Sequence, residues 1–206
     1  MNKTIPVILL SIYIAVFIIC AVSPYDRAVW WAENIPVMIV AAAIVFSYRF
    51  YKFSALSCVL MSFFVILHTI GGHYTFSRVP FDLVNDFFGC ARNNYDRISH
   101  FSVGFYAYPV AEVLFFRKLT HNKFILILFP IFAIFAVASI YEIFEWLYAV
   151  CADESAGLAV LGSQGDVWDA QKDMLSDALG AVFAMSIFCF VHWKNLSCRG
   201  MTEMKS

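Results

Sequence analysis

Long apolar runs alternate with short polar interruptions along this chain, at about residues 5–22, 35–48, 54–70, 101–116, 124–150 and 174–193. A helix rises about 1.5 Å per residue, so about 20 apolar residues cross a hydrocarbon layer of about 30 Å. Most runs are long enough and the second is marginal, which predicts an all-α polytopic bundle of six transmembrane helices, one membrane domain over residues 1–206. The first run resembles a signal peptide, with Lys3 before it and Ala21-Val-Ser23 after it. Its 18 apolar residues exceed a usual signal core and Pro24 would follow the cut, so it is read as a retained span.

Composition strengthens the membrane reading. The 206 residues are 62% hydrophobic and 14% charged, with a mean hydropathy of +0.75. A soluble domain carries about 25% charged residues.

Charge adds an orientation. Nine of the fourteen basic residues, Lys3, Arg49, Lys52, Arg117, Lys118, Lys123, Lys194, Arg199 and Lys205, fall on one set of loops and ends. The positive-inside rule then puts both termini in the cytoplasm. Thirteen of the fifteen acids fall on the opposite side, leaving only Glu112 and Glu203 inward. Acids contribute little to topology, so that asymmetry points to a site.

Its centre is the entrance to the last apolar run, Trp168-Asp-Ala-Gln-Lys-Asp-Met-Leu-Ser-Asp177. Asp169, Asp173 and Asp177 follow one another at i, i+4, drifting only about 40° around a helix, with Asp166 close to the same face. Like charges at that spacing repel, and unpaired carboxylates entering a membrane are expensive. Cations, protons or donors must meet the stripe.

Other outer span ends bring candidates. The third span closes in His68-Thr-Ile-Gly-Gly-His73, where the paired glycines are expected to end the helix and turn His73 toward the bundle. Asp96 and His100 are i, i+4 partners at the entry to the fourth span, and Glu142 and Glu145 share a face at the end of the fifth. Trp30 and Trp31 in the first outer loop suit an interfacial belt. Gly180 and Ala181 allow close helix packing in span six. Cys90 and Cys151, both in outer loops, are the pair an oxidising periplasm could join over the pocket.

Carboxylates and imidazoles converging at one depth form a ligand set for zinc, manganese or non-haem iron. A proton or cation pathway uses the same groups, and Arg92, Arg97 and Lys172 could instead neutralise them as a structural network. Several enzyme classes are excluded. Five histidines split across two faces cannot supply the histidine boxes of membrane desaturases, and the lipid-phosphatase segments are absent. The Asp-x-x-x-Asp-x-x-x-Asp stripe lacks the glycine and the Asp-Gly start of CDP-dependent phosphoalcohol transferases. No glycine-rich phosphate loop and no recognisable nucleophile–histidine motif occur.

His73-Tyr-Thr75, Tyr95-Asp-Arg-x-x-His-Phe101, Glu142-x-x-Glu-Trp146 and Asp169-x-x-x-Asp-x-x-x-Asp-x-x-Gly180 together resemble the YjdF family, over nearly the whole chain. That family of multi-pass proteins has no assigned activity, and the resemblance implies a bacterial inner membrane location. Asp173-x-x-x-Asp-x-x-Gly-Ala181 alone is similar to VanZ-like membrane proteins, over too short a stretch to decide anything.

The residues thus describe an acidic, histidine-containing pocket open to the periplasm. The enzyme reading is metal-assisted hydrolysis or transfer on a lipid or envelope substrate. In it His73, Asp96, His100, Glu142, Asp169 and Asp173 supply metal ligands, and Glu145 or Asp177 serves as base. A proton- or cation-coupled transporter and a non-catalytic scaffold are the alternatives. The expected partners are membrane lipid and a small-molecule or lipid substrate, with no nucleic acid.

Overall fold

The computed structural model describes residues 4–152, 154–161 and 163–194. Lys3, Asp153, Arg199, Glu203 and Lys205, which enter the charge argument, lie outside the described residues. Those described form helices and connections without a strand: α1 (Thr4–Ala21), α2 (Arg27–Ser47), α3 (Ala55–Tyr74), α4 (Asp82–Phe87), α5 (Tyr95–Val103), α6 (Ala107–Phe116), α7 (Lys123–Cys151), α8 (Glu154–Leu161) and α9 (Asp169–Val191). Five of them, α1, α2, α3, α7 and α9, are long and apolar enough to cross a membrane. The fourth apolar run is a composite, in which a 3-10 turn at Gly104–Tyr106 joins α5 to α6.

The second helix departs most from expectation. Asp26 accepts hydrogen bonds from the Ala28 and Val29 amides, so the helix starts at Arg27, well before the apolar run at 35. This turns the first outer loop into helix and carries Glu33 and Asn34 into the bundle. Of Trp30 and Trp31, one fits an interfacial belt: Trp31 is 47% exposed, whereas Trp30 is buried at 2%.

The third helix also outruns its expected stop. It passes through Gly71 and Gly72 to Tyr74, and Thr75 takes the left-handed cap at φ 55°. The glycines serve close approach instead. A side chain at Gly71 would strike the Phe76 ring, and one at Gly72 would meet Asn34 and Glu33. At the other end Ser54 caps the helix, and Glu112 of α6 accepts from the Ser54 amide (2.8 Å) and from the Ser54 and Ser57 hydroxyls (both 2.5 Å). Glu112 is thus a buried, satisfied anchor beneath α3, a role its position in the sequence did not reveal.

Hydrogen bonds sort the connections into two ends. Arg117 donates to the Phe50 carbonyl at 2.5 Å, which puts the α2–α3 and α6–α7 turns together. At the other end His73 bonds the Cys20 carbonyl at 2.8 Å and Arg92 donates to the Ser163 carbonyl at 3.2 Å. The α5–α6 composite therefore runs from one end of the bundle to the other. Its break lies against α9: a Cβ on Gly180 would strike the Phe101 carbonyl, and one on Gly104 the Ala181 amide nitrogen. The close packing expected at Gly180 is present. Leu60, Tyr108, Phe115, Met185 and Phe188 fill the core beneath it, while residues such as Ile19, Val45, Ile140 and Phe190 stay exposed, as lipid-facing side chains do.

The disulfide expected between Cys90 and Cys151 is not formed; both thiols are free and exposed. The long loop is held by hydrogen bonds instead. Gln164 accepts from the Asn93 amide and donates to its carbonyl, both at 3.0 Å, and the Asn93 side chain donates to Val79 and Ser77.

Candidate functional site

The acidic stripe is a helix face, as the spacing predicted, and α5 lies along it. Its outer half is an ion-pair network. Arg97 bridges α9 by pairing with Asp169 through one guanidinium nitrogen and with Asp173 through the other. Arg92, from the loop before α5, pairs with the same Asp169 oxygen and lies 3.9 Å from Asp96. Asp166 stands 3.6 Å from Arg97 and 3.7 Å from Arg92. Lys172 does not reach the stripe. At 53% exposure it bonds Asp166 at 2.6 Å. That bond, then the Trp168 amide, holds the Asp166 carboxyl below its ordinary range.

The inner half is organised by His100. Its Nδ1 lies 3.2 Å from Asp177 Oδ2, while Nε2 faces Asp96 at 3.6 Å and Asp173 at 3.8 Å. One ligand atom from each of Asp96, His100 and Asp173 falls within 4.8 Å of the others. Two turns of α9 separate the ion-paired Asp169 from Asp177, which is fully buried with Oδ1 unpartnered. Glu142 of α7 lies in the field of His100, Asp173, Asp96 and Asp177, and its buried Oε1 also has no partner.

Of the expected ligands, the structure brings together Asp96, His100 and Asp173, with Glu142 nearby. Asp169 is taken up by the two arginines. His73 stands apart, because its Nδ1 ties the end of α3 to α1. Asp177 is committed to His100 through one oxygen, and Glu145 lies buried in the field of Glu33, Glu142, His100 and Asp96.

A second polar group went unrecognised in the sequence. Glu33 accepts from the Tyr141 hydroxyl at 3.1 Å and lies 3.1 Å from His68 Nε2, all within the bundle. Starting α2 at its Asp26 cap would have placed Glu33 two turns inside a helix and exposed it as a buried acid. Tyr141 links the two groups, since its ring lies edge-on to His100 as well as to His68.

Below these groups lies a chamber of about 310 Å³. His68, Ser99, His100, Tyr141 and Asp177 border it, and apolar side chains of α2, α6 and α7 supply most of the remaining wall.

Fold and site together define a polytopic helical membrane protein with a buried carboxylate–imidazole cluster. Residues 5–194 match the family described as "Predicted membrane protein (DUF2238)", and the chain belongs to that family. It is 29% identical over 188 residues to "Inner membrane protein YjdF" of Escherichia coli (strain K12), covering 90% of each chain. This bears out the resemblance read from the motifs and places the chain in the inner membrane. No solved structure matches the chain.

Proposed function

We propose that this is a six-span inner membrane protein with cytoplasmic termini, whose periplasm-facing pocket binds a divalent cation on Asp96, His100 and Asp173 for hydrolysis or group transfer on a lipid or envelope substrate. The supporting orientation is electrostatic. Arg49, Lys52, Arg117, Lys118 and Lys123 cluster in the two turns joined by the Arg117–Phe50 bond, and the pocket lies at the other end.

One observation carries the site reading. If His100 donates its Nδ1 proton to Asp177, then Nε2 presents a lone pair to the carboxylates of Asp96 and Asp173. Arg97 already meets the Asp173 oxygen of this set. The imidazole lone pair and the Asp96 carboxylate still face each other at 3.6 Å, and two acceptors so placed repel unless a proton or cation lies between them. A carboxylate on the far nitrogen is the usual way a metal-binding histidine is oriented. Two carboxylates and an imidazole suit zinc, manganese or iron, and Glu142 Oε1 supplies a fourth donor. A cation there would polarise a substrate carbonyl or phosphoryl oxygen or acidify a bound water. Asp177 then orients His100, leaving Glu145 as the proton acceptor.

The alternative is a charge network in which protonated His100 donates to Asp96 or Asp173, and the Arg97 bridge favours it for the outer half. Metal analysis separates the two. Protein purified without chelator should carry about one equivalent of transition metal, lost in Asp96→Asn and Asp173→Asn, and EDTA should lower its melting temperature. Protein with far less than one equivalent, melting identically with and without EDTA, would remove the metal reading.

A further inference from the structure

The short helix α4 carries its polarity inside out. Successive residues turn about 100° around a helix, so Leu83, Val84, Phe87 and the Phe88 cap cover an arc of about 140°, opposite Asp82, Asn85 and Asp86. In a helix beside water the apolar stripe faces the core. Here it faces away: Leu83 is 89% exposed, Phe87 83% and Phe88 71%, while Asn85 is the buried residue. Asn85 Oδ1 accepts from the Asn94 amide at 3.2 Å, which turns the polar side toward the start of α5. A contiguous apolar patch kept outside a fold marks a contact surface.

The height of α4 in the bundle decides what covers the patch. The chain after α3 folds back along it. The Tyr95 hydroxyl donates to the Leu67 carbonyl at 2.8 Å, about two turns before the end of α3, and the Phe81 ring stands edge-on to Tyr95 with ring centres 5.5 Å apart. Helix α4 begins at the next residue, so it lies beside the last turns of α3 rather than beyond them. A second mark of height comes from α9. Trp168 is exposed at i, i+7 from Leu175 and tops the exposed apolar stripe of Leu175, Leu179 and Val182, where α9 leaves the lipid. Arg92, in the loop after α4, pairs with Asp169 beside that tryptophan. Both marks put α4 at the edge of the hydrocarbon layer with its apolar side turned outward.

We infer that α4 is an interfacial helix whose Leu83, Val84, Phe87 and Phe88 side chains seat in the bilayer leaflet at the site end. The occupant is lipid, because the chain belongs to a membrane protein family and the bilayer edge lies at this height on every copy. No lysine or arginine stands between Val79 and Ala91, so the contact is apolar and draws nothing from anionic headgroups. Asp82 and Asp86, both exposed, keep to the opposite side of the helix. The segment from Gly89 to Arg92 runs from this seat to Asp169, so α4 fixes the outer half of the site at headgroup height. The inference goes beyond the site reading, and it depends neither on the cation nor on which side the termini face.

Spin labels test this in nanodiscs of phosphatidylcholine. Leu83→Cys, Asp86→Cys and Phe87→Cys are each labelled in full-length protein whose other cysteines, except the buried Cys20 and Cys58, are changed to serine. Labels at 83 and 87 should collide with oxygen in preference to a water-soluble nickel chelate and calibrate to about 5–10 Å inside the headgroup–acyl boundary. The label at 86 should show the reverse preference. Nickel preference at all three positions would overturn the inference in favour of a water-facing patch. Exclusion of both reagents at 83 and 87 would overturn it in favour of a protein partner, and dipolar broadening would identify that partner as a second copy. A second measurement needs no substitution. Wild type in discs containing phosphatidylcholine with a diazirine near the top of one acyl chain should take label on 83–88, mapped by mass spectrometry. Label confined to the long helices, with none on 83–88, would overturn the inference. Leu83→Asp combined with Phe87→Asp should lose the α4 adducts, and adducts that persist would mean that the apolar face does not make the contact.

Discussion

Replacing Arg97 with alanine should be among the most damaging single changes in the outer half of the site. Its guanidinium bridges Asp169 and Asp173, and its side chain is 14% exposed. Removing one partner of a buried ion pair typically costs about 3–5 kcal/mol, because the remaining charge stays desolvated. Arg92 would still meet Asp169, so the cost should fall near the lower end, about 3 kcal/mol, raising the unfolded fraction roughly a hundredfold. Equilibrium unfolding in mixed micelles of wild type, Arg97→Ala, Asp173→Asn and the double variant closes a cycle. A real pair should give a coupling of about 0.5–3 kcal/mol, the double variant losing less than the two singles together. Metal analysis on the same four proteins adds a second axis. Asp173→Asn should lose bound cation, whereas Arg97→Ala leaves the ligand set intact and should keep it. Coupling indistinguishable from zero would refute the bridge, and equal metal loss in both single variants would refute the division of the stripe into halves.

Further outcomes follow from the packing. Gly180→Ala sets a methyl against the Phe101 carbonyl and should cost about 1–3 kcal/mol in the same unfolding assay; a neutral result would mean that the helices do not touch there. Glu112→Gln keeps the shape but removes the charge that three donors address, so the melting temperature should fall by the equivalent of about 1.5–3 kcal/mol, and an unchanged melt would remove its anchoring role. Cys90 and Cys151 should both alkylate in unreduced protein, and a gel shift on reduction would contradict the free thiols.

Much of the helical layout was legible because lipid makes hydrophobicity a length measurement: α1, α7 and α9 lie close to their apolar runs. Polar helix ends were not. Arg27–Asn34 and Tyr95–His100 read as loop or loop edge because charged and polar residues break their apolar runs, yet both are helix throughout. Their polar side chains find partners far along the chain, as Glu33 does in His68 and Tyr141, and no local pattern encodes such a pairing. For the same reason the candidate ligands arrived as an undivided set. Periodicity put Asp169, Asp173 and Asp177 on one face but could not say that arginines meet the first while His100 meets the last.

That division follows from where the helices cross. Both α5 and α9 enter from the site end of the bundle, and their backbones meet at Gly104 and Gly180. His100 lies four residues before the first glycine and Asp177 three before the second, so each stands one turn outward from the crossing. Helix axes held this close leave room for an imidazole and a carboxylate to meet directly, and they do at 3.2 Å. One turn further out Arg97, with its longer side chain, reaches across α9 to Asp173 and Asp169. The 3-10 turn at Gly104–Tyr106 lets α6 continue on its own line past the crossing, toward the anchor at Glu112. The two glycines therefore act on the chemistry without touching it: they set the helix separation at which His100 is held by Asp177 with its other nitrogen facing Asp96 and Asp173.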